Sequence, residues 1–222
     1  MSLRMALNVG ANILAHPSII APNKNYLFMV SHMRAFSTLI SHILGSHPDI
    51  SGHIENHIEY KNTFDLLKLR HRVASVSGCG LEGSYVLEKI VHNYEISDSI
   101  INRSDTKFCL TIREPLPTLK SIISMKMRFD GKDEKQLYKP TLKYYIDRLD
   151  GIQALAMRLE GRFLFFKGEV LVTDADVVLH DLTEWLGLSS PLKKDYEVRE
   201  DTGVAGRGDF SDDIRGGRIV GI

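Results

Sequence analysis

Hydrophobic and polar positions follow two rhythms along this chain. Uniformly apolar runs at 26–30 (YLFMV), 85–87, 108–112 and 163–166 read as strands, the first covered on both faces because no polar residue alternates within it. Between the runs, apolar residues recur at helical spacing. Leu39, Ile40, Ile43 and Leu44 form one face, closed by Gly45; residues 60–73 predict a second helix with Phe64, Leu67 and Leu69 inward. Leu116, Leu119, Ile122 and Ile123 follow Pro115, which suits a first helical position. Tyr145, Leu149, Ile152, Ala156 and Leu159 predict a long helix over 141–160, and residues 177–186 a last one. The charged stretch 128–135 reads as an exposed loop, and 77–83 as a turn-rich break.

Strands alternating with helices predict an α/β fold with a mainly parallel central sheet flanked by helices. Neither a repeat nor a dividing linker is visible, so a single domain over 1–222 is expected, with its core from about residue 25. Hydrophobic residues make up 43% and charged residues 25%, and the formal net charge is zero. That balance excludes a general nucleic-acid or anionic-membrane binder. No segment is apolar enough to span a bilayer. Arg4 precedes an apolar stretch, but Asn8, Gly10 and Asn12 interrupt it, so a cytoplasmic chain without a signal is expected. Cys79 and Cys109 make neither a disulfide framework nor a zinc site.

Three stretches carry candidate chemistry. The first strand feeds a loop holding Arg34 and a helix opening at Ser37 and Thr38; a strand, loop and helix N-terminus together collect amides and hydroxyls for a phosphate. Tested as G-x-x-x-x-G-K-[ST], the window 31–38 keeps only the final hydroxyl. A conventional ATP or GTP site is therefore not expected. The second stretch is Arg113-Glu114-Pro115 at the carboxyl end of a strand, with Ser121 eight residues beyond the Arg. The third is His53 to Glu59, HIENHIE, where His53 and His57 are four apart and flank Glu55. A His pair on a helix can bind metal, but no third ligand is evident, so none is expected. Lys89, His92 and Asn93 could line an acceptor pocket, or simply cap the segment. Arg207-Gly208-Asp209 spells an adhesion tripeptide of a length that recurs by chance.

The first two stretches in combination resemble the sulfotransferases that use 3′-phosphoadenosine 5′-phosphosulfate (PAPS). In that family the first loop typically reads P-[KR]-S-G-[ST]-T, and the second motif pairs an Arg with a Ser. Residues 166–188 are similar to its Y-E-D-L…L-x-x-F-L-G-L segment, and the glycine-rich 203–209 to the late loop over the nucleotide. Met33, Ala35 and Phe36 depart from the family's proline, serine and glycine. A Phe at positive φ would be strained.

The resemblance implies a P-loop-like architecture and sulfuryl transfer from PAPS to the hydroxyl or amine of a small-molecule or carbohydrate acceptor, leaving PAP and using no metal. Arg34, Ala35, Phe36, Ser37 and Thr38 would hold the 5′-phosphosulfate, with Arg34 stabilising the leaving group. Arg113, Ser121, Gly206, Arg207 and Gly208 would hold the 3′-phosphate. Glu55 would be the general base, with His57 as the alternative and a solvated polar loop as the plain reading of both. Lys89 and His92 are weaker acceptor candidates. The rivals are a divergent Mg²⁺-dependent kinase and a non-catalytic nucleotide-binding module on the same fold.

Overall fold

The computed structural model describes residues 17–21, 23–77, 81–200, 202 and 213–220. Five strands form one parallel sheet in the order β2-β3-β1-β4-β5: β1 (Asn25–Val30), β2 (Ile50–Ser51), β3 (Tyr85–Ile90), β4 (Thr106–Ile112) and β5 (Phe163–Lys167). The helices that flank it are α1 (Ser37–Gly45), α2 (Phe64–Ser77), α3 (Asp98–Ile101), α4 (Pro115–Asp130), α5 (Glu134–Leu159), α6 (Gly168–Thr173) and α7 (Ala175–Leu186). None of the described helices is long and apolar enough to cross a membrane.

Because strand side chains alternate, β1 feeds both layers at once. Tyr26, Phe28 and Val30 face a core with Leu69 and Val73 of α2 and Ile152 and Leu159 of α5. Leu27 and Met29 face the opposite core, with Ile40 and Leu44 of α1 and Leu179 and Leu182 of α7. Phe28 stacks on Phe108 across the β1–β4 pair, ring centroids 5.0 Å apart. Cys109 is fully buried, and burial pushes its thiol up to about 12, which makes it an inert core residue.

Three local expectations change. The second helix begins at Phe64 and exposes Phe64 and Leu67; Leu69 faces inward as expected, and Leu66, Val73 and Ala74 join it. Asp65 sets that phase by accepting the Lys61 and Asn62 amides on Oδ2 at 2.9 and 3.0 Å. The stretch expected to be a loop at 128–135 is mostly helical. Here α4 runs to Asp130 and stops at Gly131 (φ 64), and a reciprocal capping box between Asp133 and Gln136 opens α5. Charged residues with long unbranched side chains are good helix formers, so exposure there did not mean disorder. Leu116 is exposed rather than inward. The stretch 1–16, Cys79 and the tail 203–212 lie outside the described residues.

The long helix α5 crosses the carboxyl ends of the strands and ties them together. The Tyr144 hydroxyl donates to Val91 O at 2.7 Å and accepts the Met33 amide at 2.8 Å. The Tyr145 hydroxyl donates to Arg113 O at 2.8 Å. Arg148 is buried; its Nε donates to Ser31 O at 2.8 Å, and its two terminal nitrogens donate to Asn93 Oδ1 at 2.8 Å and Ile90 O at 2.9 Å. Burial pulls this guanidinium down to about 10, which still leaves it charged at neutral pH.

Removing it takes the guanidinium from buried Ser31 O, leaves buried Ile90 O with the Ser31 amide alone, and opens a cavity in the clamp, while exposed Asn93 Oδ1 can turn to water. Arg148→Ala is therefore expected to lower stability by on the order of 3 kcal/mol, read from the urea midpoint. Arg148→Lys should recover only part of this, because one ammonium cannot match three diverging acceptors.

Candidate functional site

The loop after β1 follows the path of a glycine loop without its glycines. Arg34 (φ 63) and Phe36 (φ 59, ψ 19) both sit in the left-handed region. For a residue with a Cβ this costs roughly 1–2 kcal/mol. What offsets it is packing around the ring. The Arg113 guanidinium lies 4.5 Å from the Phe36 ring centroid. α6 also begins against it at Gly168, where an added Cβ would stand 3.1 Å from Ala35 O and 3.2 Å from the Phe36 ring. Glycine is what lets that helix approach so closely.

The two motifs, far apart in sequence, meet here. Arg34 Nε donates to Ser121 Oγ at 2.8 Å, and a terminal nitrogen of Arg113 donates to Arg34 O at 3.1 Å. Ser37 and Thr38 are buried at the start of α1, and the Phe36 side chain makes no capping hydrogen bond there. Burial lowers the Arg113 pKa; Glu169, whose Oε1 is 3.8 Å from its Nε, opposes that, and Arg34 reinforces it. Glu169 Oε1 also accepts the Glu114 amide at 3.0 Å, so α6 braces the second motif as well as the first.

His32 is a member of this site that sequence reasoning missed. Its Nε2 accepts the Arg113 amide at 2.9 Å, so Nδ1 carries the proton and donates to Met33 O at 2.9 Å. Burial lowers its pKa, against the pull of those backbone bonds, and the ring stays neutral. One imidazole thereby fixes the spacing between the β1 loop and the end of β4. The available signal was slight, a histidine two positions beyond the apolar run 26–30.

The third stretch is rearranged relative to expectation. Residues 52–59 are not helical, so His53 and His57 do not stack along one face. His53 is buried, with its ring edge-on to His42 at 5.2 Å. His57 (φ 53) instead turns toward Glu55 and toward His92, which follows β3. Glu55 Oε1 accepts the Val91 amide at 3.0 Å and lies 3.1 Å from His92 Nδ1; Oε2 lies 3.9 Å from His57 Nδ1. The Tyr94 hydroxyl is 2.7 Å from His57 Nδ1. Burial pushes the Glu55 carboxyl up, but the hydrogen bonds from His92 and Val91 outweigh it, and the net shift is downward. Lys89 lies within β3, buried, rather than after the strand. Gly206, Arg207 and Gly208 lie outside the described residues.

No family model matches the chain, and no curated protein does. Solved structures do. The chain is similar to sulfotransferase STF9 from Mycobacterium avium, at 14% identity over 82% of this chain and 69% of that one, with a TM-score of 0.61. It is also similar to the sulfotransferase domain of the Synechococcus PCC 7002 olefin synthase, at 17% identity, 86% and 82% coverage and a TM-score of 0.55. The sulfotransferase domain from the curacin biosynthetic pathway matches at 16% identity, with 75% of each chain covered and a TM-score of 0.52. The fold is that of these sulfotransferases.

Beneath the third stretch, Glu88 of β3 is wholly buried and accepts the Asn56 amide at 3.1 Å and its side-chain nitrogen at 2.5 Å. Burial raises its carboxyl to about 8, the Asn56 bonds opposing. The unfolded chain gives up this proton near the ordinary carboxylate value, and the folded chain only near 8. Stability should therefore fall as pH rises from about 4.5 to about 8 and then level off. Glu88→Gln, which has no charge to desolvate, should flatten that slope in denaturation midpoints taken across the window.

Proposed function

We propose that this chain is a sulfotransferase that moves a sulfuryl group from PAPS to the hydroxyl or amine of a small-molecule or carbohydrate acceptor. The observation that carries the reading is the meeting of Arg34, Ser121 and Arg113 beside the start of α1, on a fold shared with sulfotransferases. Two guanidiniums and a hydroxyl at one strand end suit a nucleotide phosphorylated at two positions. Neither is a Walker lysine.

In this reading Arg34, the Ser37 and Thr38 hydroxyls and the first amides of α1 hold the 5′-phosphosulfate, with the backbone of Ala35 and Phe36 shaping the turn. Arg113 and Ser121 hold the 3′-phosphate, together with the loop carrying Gly206, Arg207 and Gly208. Transfer breaks the bond between sulfur and the 5′-phosphate oxygen and forms one between sulfur and the acceptor. Arg34 and the helix amides stabilise charge on the departing oxygen. PAPS supplies the activated sulfuryl group, and the protein's part is in-line placement.

Proton removal is assigned to Glu55 and His92 together. With Nδ1 bound to Glu55, His92 offers Nε2 to the acceptor, and the ionised carboxylate holds the ring and stabilises the imidazolium that forms. The lowered Glu55 pKa favours this division over direct abstraction by the carboxylate. His57 is the alternative member of the pair.

Calorimetry with adenosine 3′,5′-bisphosphate and with ATP plus Mg²⁺ tests the ligand. Tighter binding of the bisphosphate is expected, and tighter Mg²⁺-dependent binding of ATP would overturn the reading in favour of a kinase. Arg113→Ala should weaken the bisphosphate by about 2–5 kcal/mol.

Glu55→Gln and His92→Ala should leave bisphosphate affinity unchanged. Both should slow PAP release from PAPS, measured with a panel of phenols, alcohols and amines, by roughly 10²–10⁴. Full turnover in both variants would remove the dyad from the mechanism.

A further inference from the structure

The geometry points to a second ligand for the third stretch: Glu55, His57 and His92 form a site for a divalent transition-metal ion of the zinc class. One coordinating atom from each of these residues lies within 4.8 Å of the others. Around a tetrahedral ion with bonds near 2.0–2.1 Å, neighbouring donors stand roughly 3.4 Å apart. His92 Nδ1 lies 3.1 Å from Glu55 Oε1 and His57 Nδ1 lies 3.9 Å from Oε2, so the two imidazoles stand one beside each carboxylate oxygen at close to that spacing. Bringing the three donors onto one ion takes rotation of the two rings.

The parts divide between a fixed frame and adjustable donors. The Glu55 side chain is 9% exposed, and the Val91 amide pins its Oε1. The loop that carries it is anchored through Asn56, which donates to buried Glu88 and whose carbonyl accepts from Arg72. Val91 is held in turn by Tyr144. The His57 and His92 side chains are 60% and 42% exposed, so they can rotate onto an ion without repacking the core. The Tyr94 hydroxyl, 2.7 Å from His57 Nδ1, holds this ring beside Glu55, and an ion bound at Nδ1 takes its place there. On binding, the ion takes the place of the proton between His92 Nδ1 and Glu55.

The donor set names the class of ion. Two imidazoles and one carboxylate suit Zn²⁺, Co²⁺, Ni²⁺ or Cu²⁺ and disfavour Mg²⁺ and Ca²⁺, which prefer oxygen-only shells. Three protein donors leave positions for water or an acceptor oxygen. This inference does not rest on the proposed sulfuryl transfer. If both hold, an ion at this position withdraws Glu55 and His92 from proton removal.

Co²⁺ titrated into the full chain is the test, followed by visible d–d absorption. Intense bands saturating near one equivalent are expected, bleached when Zn²⁺ displaces the cobalt. His57→Ala and His92→Ala should each weaken Co²⁺ at least tenfold while far-UV circular dichroism stays unchanged. His180→Ala, on the exposed face of α7, should bind like the parent. Absence of bands in the parent at equimolar micromolar metal would overturn the site. So would bands of unchanged affinity in both the His57 and His92 variants. None of these readouts involves PAPS or turnover, so failure here leaves the proposed function standing, and the reverse.

Discussion

A buried guanidinium without a carboxylate holds the working end of this protein together. Arg148 donates to the carbonyl that follows β1, to the last carbonyl of β3 and to Asn93 beyond it. Parallel strands end with unpaired carbonyls where the chain leaves the sheet, and these are costly if left dry. A planar cation with five donors can satisfy several of them at once. Tyr144 and Tyr145, one turn earlier on α5, extend the same clamp to Met33, Val91 and Arg113. The segments that follow β1, β3 and β4 are thus referenced to one rigid helix. That is the condition for two guanidiniums and a histidine–carboxylate pair to keep a fixed spacing.

The sheet was legible in the sequence because four of its strands stand out as short apolar runs, the first of them uniformly so. The alternation with helices then left a parallel α/β fold as the economical answer. What escaped was either short or non-local. β2 has two residues, too few for any periodicity to show. The break between α4 and α5 depends on Gly131 and on the Asp133–Gln136 box, which charge content alone concealed.

The candidate site divides in the same way. Arg34, Arg113 and Ser121 could be picked out by motif, and the structure brings them into contact across 87 positions of sequence between Arg34 and Ser121. His32 and Arg148 could not, since their roles are defined by partners remote in sequence. The third stretch was found by its residue types but misread in its geometry. Helical spacing paired His53 with His57, whereas a left-handed turn at His57 pairs it with Glu55 and His92.

The turn at Phe36 has a kinetic meaning. A glycine loop samples many shapes before its ligand arrives and loses that freedom on binding. A phenylalanine held at φ 59 and packed against Arg113 and Gly168 has given up the freedom already, during folding. The conformational search therefore belongs to the folding of the chain, and the proposed 5′-phosphosulfate would meet a loop already set in its shape. Selectivity at the proposed site would then be decided on arrival, by fit to a preset turn, rather than afterwards by a loop adapting around whatever has entered.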